Sequence, residues 1–223
     1  MPTTVTDNFN RADETPLGNT IGSPLAPNNN WTGVPGLQRP DLKTNIVWSP
    51  VTFHNFALYI GQQFTEDTTV QIDLVQGSYG NITTGHRMDR TKMTAYTWQL
   101  TRGPILNDTL AFLEWNDGSV RSLPSNTNSD YYDLGSPGIT SGTLKSQCIQ
   151  VGGNINLIGS WNGVVVTNIT VPAVIFGGNP GFDIVGSTFA GGSYTHSTQP
   201  WGDNWSCTGE LLPNPLDNEF IDP

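Results

Sequence analysis

LKSQCIQVGGNINLIGSWNGVVVTNITV, residues 144–171, is the stretch on which the fold turns. It holds three β-rich segments separated by Gly152-Gly153 and by Asn162-Gly163. Both pairs read as two-residue hairpin turns, which need a positive φ at one or both central residues, a conformation that Gly adopts freely and Asn more readily than most. Leu144–Val151, Asn154–Trp161 and Val164–Val171 are therefore predicted as an antiparallel meander. Strict alternation puts Leu144, Cys148, Ile155, Leu157, Trp161, Val164 and Val166 on one face. It puts Ile149, Val151, Ile158, Val165, Ile169 and Val171 on the other. Both faces are apolar, so the meander is expected to lie between other layers or against a partner, and the pattern leaves open which face is the core.

The same kind of text continues outward. Alternation or β-branched enrichment marks Val5–Phe9, Thr44–Trp48, Ala57–Ile60, Thr68–Val75, Thr94–Thr101, Thr109–Trp115, Phe182–Val185 and Trp205–Leu211. Thr68–Leu74 alternates most cleanly: Val70, Ile72 and Leu74 point one way, and Thr69, Gln71 and Asp73 the other, as in a strand with one wet face. About a dozen short strands divided by turn residues predict an all-β protein, an antiparallel β-sandwich or jelly roll. No linker interrupts the series, so residues 1–210 are expected to form a single domain. Gly22–Pro40 and Ser122–Pro137 read as long loops, and residues 211–223 as an extended, Pro-rich, acidic arm.

Composition agrees. The chain of 223 residues carries 25 Gly and 16 Pro and is only 13% charged, which disfavours long helices. Its 9 Phe, 7 Trp and 6 Tyr are enough to fill a core. The formal net charge is −10, and no Lys or Arg follows Lys145. With no basic cluster beyond Arg87, Arg90 and Lys92, neither nucleic acid nor an anionic membrane is an expected partner. No apolar run approaches the ~20 residues of a membrane helix, and MPTTVTDNFNRADE has neither a basic n-region nor an apolar h-region, so no signal peptide is expected. The sequons at Asn81, Asn107, Asn168 and Asn204 then read as polar turn text rather than glycan acceptors. Cys148 and Cys207 fit no metal spacing and are expected to be two small buried thiols.

Taken in order, DNFNRADETPLGN with NNNWTG, FTEDTTVQIDL, TTGHRMDRTKMTAYTWQL, LKSQCIQVGGNINLIGSWNGVVV and PGFDIVG resemble the laminin-G-like members of the concanavalin A-like jelly-roll superfamily, found in many bacterial and phage proteins. The resemblance covers most of Asp7–Leu211. It implies a sheet strand at FTEDTTVQIDL, a strand pair around Gly85 to Tyr96, hairpins ending in Asn162-Gly163, and a closing strand at PGFDIVG that pairs with the first. The superfamily holds enzymes, lectins and structural modules, so the resemblance implies an architecture and leaves function open.

Chemistry must then be sought in side chains. Glycosidases on this fold need two carboxylates flanking one bond; the nearest approaches are Glu66-Asp67, Glu114 with Asp117, and Asp217 with Glu219, all better read as solvated turn residues. His54, His86 and His196 are isolated from any nucleophile motif, and no enzymatic activity is expected. Oxygen-rich loops at Asn107-Asp108, Asn116-Asp117 and Gly202-Asp203-Asn204 could supply ligands for a structural calcium ion; no other cofactor is expected. Arg87 and Arg90 could clamp a carboxylate or a sugar acid, though Arg87 reads more simply as a strand residue on a wet face. Sugar rings stack on exposed aromatics beside Asn, Asp and Gln, which makes Trp115, Tyr131, Tyr132, Tyr194 and Trp201 the candidate ligand-binding residues. Trp31, Trp48, Trp98, Trp161 and Trp205 are expected in the core.

The functional expectation is a non-enzymatic structural and adhesive protein of a phage virion, a head decoration, fibre or tail surface protein, with possible glycan binding. A fold type that usually faces the outside, on a chain without an export signal, fits release by lysis. Its expected partners are other virion proteins or further copies held through the C-terminal arm, and a host-surface glycan. The alternative is a bacterial carbohydrate-binding or glycan-cleaving protein.

Overall fold

A computed structural model describes residues 1–9, 31–32, 41–43, 46–48, 54–60, 63–76, 80–89, 91–102, 107–124, 131–135, 139, 141–185 and 201–212, with the side chains at 32, 41–43, 46–48, 54–56, 76, 185 and 201 left out. Every regular element among them is a strand: β1 (Thr3–Asp7), β2 (Trp31–Thr32), β3 (Asp41–Lys43), β4 (Ile46–Trp48), β5 (His54–Tyr59), β6 (Phe64–Gln76), β7 (Gly80–Asp89), β8 (Thr94–Arg102), β9 (Thr109–Asn116), β10 (Ser119–Ser122), β11 (Tyr132–Asp133), β12 (Gly142–Val151), β13 (Asn154–Trp161), β14 (Val164–Pro172), β15 (Asn179–Val185) and β16 (Trp201–Leu211).

They pair antiparallel into two 8-stranded sheets. Sheet A runs β14-β13-β12-β6-β16-β4-β3, with β1 also paired to β16; sheet B runs β10-β9-β8-β7-β15-β5-β2, with β11 also paired to β9. The alternation of Thr68–Leu74 is realised as predicted. Val70, Ile72 and Leu74 are buried between the sheets, while Thr69, Gln71 and Asp73 face the other way and are part-exposed. From sheet B the same core receives Ile82, Tyr96, Trp98, Leu100, Leu110, Phe112, Phe182 and Ile184.

Aromatic rings close one end of the core. Trp31 meets Trp205 at 4.8 Å and Phe182 at 5.0 Å between ring centroids, both in the edge-on arrangement that the ring quadrupole favours. Asp7 holds this corner by accepting the Phe9 amide and the Trp31 indole N–H, both at 2.8 Å. Trp98 lies flat against Gly159, where a Cβ would stand 2.6 Å from the indole. Of the five tryptophans expected in the core, Trp31, Trp98, Trp161 and Trp205 are buried, and the Trp48 side chain falls outside the described residues.

The two hairpins form where the turn pairs place them, with Gly152 at φ +61° and Asn162 and Gly163 at +50° and +79°. The face assignment of the third strand is corrected. Gly159 pairs with Thr167 but Ser160 pairs with Val165, so a bulge inserts Val166 into β14. One extra residue inverts the alternation beyond it. Ile169 and Val171 therefore join Ile155 and Leu157 in the core, and Val164 and Val165 are exposed. The core face of the meander is the one carrying Leu144, Cys148, Ile155, Leu157 and Trp161.

Two further expectations change. PGFDIV forms β15 but pairs with β5 and β7; the strand that closes on β1 is β16, five consecutive pairs from Thr3–Gly209 to Asp7–Trp205. Arg87 is not on a wet face but buried, at φ +51°. The loops Gly22–Pro40 and Ser122–Pro137 each contain a two-residue strand, β2 and β11. The C-terminal arm beyond Leu212 lies outside the described residues.

Candidate carbohydrate-binding face

Sheet B has an outer face that is neither core nor ordinary surface. The register of β15, β7, β8 and β9 lines up Asp183, Thr83, Gln99 and Ala111 in one row and Gly181, Gly85, Thr97 and Leu113 in the next. A third row sets Ala95 beside Trp115. Because Phe182, Ile184, Trp98 and Phe112 point into the core, these intervening residues point away from it. Trp115 packs there with Leu58, Met88 and Ala95 in a separate small cluster.

This face grades from open to closed. Thr101 is exposed and Ala111 and Leu113 are partly so, while Gln99 keeps 8% of its surface and Thr97, Thr83 and Asp183 keep 1% or less. Thr83 Oγ1 accepts the Asp183 amide at 2.9 Å, and Gln99 Nε2 donates to Thr101 Oγ1 at 2.8 Å. Gln99 Oε1 is buried without a hydrogen-bond partner. An unsatisfied buried amide oxygen costs about 1–3 kcal/mol, so its retention calls for a reason, and a ligand donor is one such reason.

The candidate aromatics are not brought together. Trp115 is on this face but only 6% exposed, and it donates its indole N–H to Thr97 Oγ1 at 3.2 Å, so it is not the open platform that stacking requires. Tyr132 pairs with Leu110 on β11 and packs on the main core. It stands five residues along β9 from Trp115, about 17 Å, and on the opposite face. Tyr131 is 48% exposed at the sheet edge. Trp201 pairs with Gln76 in sheet A; its side chain and all of Tyr194 fall outside the described residues. Nothing in the sequence marks Thr97 or Gln99, because a polar residue flanked by apolar ones, Thr97 by Tyr96 and Trp98 and Gln99 by Trp98 and Leu100, reads as the wet side of any strand.

Of the candidate carboxylates, Asp117 is exposed in the turn between β9 and β10, and Glu114, Glu66 and Asp67 are committed elsewhere. Glu114 is on the core side of β9, opposite Tyr96, and takes a two-pronged bond from Arg121 at 2.9 and 3.0 Å. Glu66 pairs with Arg87 at 3.5 Å and accepts the Gly177 amide; Asp67 accepts the Gln150 amide at 2.6 Å. Arg87 does clamp a carboxylate, but one of its own chain, while its other donors reach Ile175 O and Gln150 Oε1 at 2.8 Å. Asp217, Glu219, Arg90 and His196 lie outside the described residues, as does the His54 side chain.

His86 is a structural bridge. Its ring contacts Thr68 Oγ1 and Ser146 Oγ, both at 2.7 Å on the opposite sheet, and Thr84 joins Ser146 beside it. Complete burial, with Arg87 adjacent, lowers its pKa to about 3, so the ring is neutral. Of the oxygen-rich loops, Asp108 is buried against Arg102 at 3.8 Å and accepts the Ile139 amide. Asp203 accepts the Asn204 amide, and burial, then Asp73 and Asp7, hold its carboxyl above the ordinary value. Among the described residues no three His, Cys, Asp or Glu gather as a metal would need.

No protein-family model and no curated protein matches the chain. Solved structures do. The chain is similar to the carbohydrate-binding module CBM66 from Bacillus subtilis, at 14% identity and a TM-score of 0.50 over 82% of this chain and 93% of that one. It is similar to basic winged bean lectin, solved with Tn-antigen, at 10% identity and a TM-score of 0.52 over 96% and 100%. A GH43 protein from Bacillus licheniformis aligns at 11% identity and a TM-score of 0.51 over 92% of this chain but 39% of its own. At such identities the likeness establishes the fold, a concanavalin A-like antiparallel jelly roll.

Proposed function

We propose that this jelly roll is a non-enzymatic carbohydrate-binding module whose ligand approaches the outer face of sheet B from β9. The observation that carries the reading is Gln99 Oε1, buried and unbonded at the boundary between the open and closed parts of that face. A sugar hydroxyl donating to it would satisfy the orphan acceptor, and the part-exposed Ala111 and Leu113 offer apolar ground for ring C–H groups. The shared fold with a carbohydrate-binding module and a lectin supports the same reading. Binding without cleavage is favoured because the carboxylates that the described strands place on this face, Asp183 on β15 and Asp133 on β11, stand four strands apart, about 19 Å, whereas glycoside hydrolysis needs two within about 5–9.5 Å of each other. The virion setting expected from the sequence rests on the sequence alone.

A glycan array followed by calorimetry on the intact chain tests this. A defined hit is expected, with at least a tenfold loss of affinity in Gln99→Ala, the order of one hydrogen bond, and no product in turnover assays. A blank array, or a hit indifferent to Gln99→Ala, would remove the site; released sugar would replace the lectin-like reading with the glycan-cleaving alternative.

A further inference from the structure

Residues 146–182 contain no Asp, Glu, Lys, Arg or His, in a chain that is 13% charged. The fold gathers most of this run into one wing of sheet A, β12 beyond Lys145 and all of β13 and β14; only its last residues cross to sheet B, as the first half of β15. Strand β14 ends the sheet, hydrogen-bonded to β13 on one side and, among the described residues, to nothing on the other. Isolated edges of this length are ordinarily guarded by charge, because their free N–H and C=O groups invite pairing. Here the edge carries none. Val164 and Val165 stand 65% and 58% exposed at its start, and Val174 and Phe176 stand 47% and 64% exposed just past its end. The outer face beside it presents Ile149, Ile158, Asn168 and Thr170.

The other half of sheet A is different. Asp67 and Asp73 on β6 and Glu210 on β16 are exposed or partly so. A wing empty of charge beside an acidic half has the anatomy of a protein interface, whose centre is depleted in charged residues. Charge also selects the occupant. A basic partner would gain more on the acidic half. For two copies that each carry −10, the wing is a place where they can meet with no like charges opposed. A strand paired antiparallel with its own copy satisfies a two-fold axis automatically. Seven strand spacings would then separate the two β6 strands, roughly 34 Å, well beyond the screening length of about 8 Å at physiological salt.

We propose that two copies of the chain pair antiparallel through β14, continuing sheet A across a two-fold axis. Pro172, without an N–H, closes the paired segment, leaving Val164–Val171 to form it.

Native mass and light scattering on the full chain, over a wide range of concentration, test the proposal. A dimer is expected that persists in high salt and becomes a monomer in the double variant Val165→Lys with Asn168→Lys, whose positions are exposed and leave the core untouched. Hydrogen exchange on the unmutated chain supplies a second readout: the amides of 164–171 should be as slow as those of β13 and should lose protection on dilution. A monomer at every concentration, a dimer unaffected by the two lysines, or β14 amides whose exchange does not follow concentration would each overturn it.

Discussion

Arg87 shows how one residue can mislead a reading and then account for a local structure. Its guanidinium is buried and ties Glu66, Gln150 and the Ile175 carbonyl together, so the segment after β14 is fixed from within. Arg87→Ala would strand these acceptors and is expected to lower stability by about 3 kcal/mol, given the usual cost of breaking a buried pair, as measured by urea unfolding. His86 makes a pH prediction of determined sign. Its folded pKa of about 3 lies below the unfolded value near 6.5, so the unfolded chain takes up the proton first. The stability due to the neutral ring is complete above pH 6.5 and drains as pH falls toward 3, by about 1.4 kcal/mol per unit. Between pH 6.5 and 5, above the range in which ordinary carboxylates titrate, that slope should be visible in urea midpoints and absent in His86→Gln.

At the scale of elements, two glycines in one hairpin separate backbone from packing. Gly163 sits at φ +79° with nothing near its absent Cβ, so Gly163→Ala should cost only the left-handed penalty, about 1 kcal/mol. Gly159 has ordinary backbone geometry but lies against Trp98. Gly159→Ala forces the indole to move and should cost about 1–3 kcal/mol, as overpacking does. Thermal unfolding of the two variants checks both. The turn was legible from Asn-Gly because its cause is local. The contact with Trp98 was not, since 61 residues of chain separate the partners. The bulge at Val166 was equally hidden: a run of three valines gives no local sign of which one is extra, and only the pairing with β13 decides it.

For the whole molecule, strand order settles the thiols. Cys207 pairs with Val70 on one side of β6 and Cys148 with Thr68 on the other, which sets them two strand spacings apart, about 9.6 Å and beyond disulfide reach. Burial pushes the Cys148 thiol up to about 11, and Cys207 higher still. Both should be silent to a thiol reagent in the native protein and react on unfolding, and reductant should leave the melting temperature unchanged. The fold class was readable because strand alternation and turn chemistry repeat along the chain. The candidate site was not, because Gln99 acquires its character from burial on a face that no single strand defines, and Trp115 loses its own to the cluster with Leu58 and Met88.

By itself the sequence determined the all-β class, the two tight turns, the faces of β6 and the charge-free run 146–182, each written in neighbouring residues through φ preference, side-chain period or composition. Tertiary structure alone decided that β16 rather than β15 closes on β1, that Ile169 and Val171 point inward, that Arg87 is buried and that the uncharged run becomes a sheet edge. These depend on which distant strands become neighbours, and hydrogen-bond register between segments far apart in the chain leaves no local pattern to read.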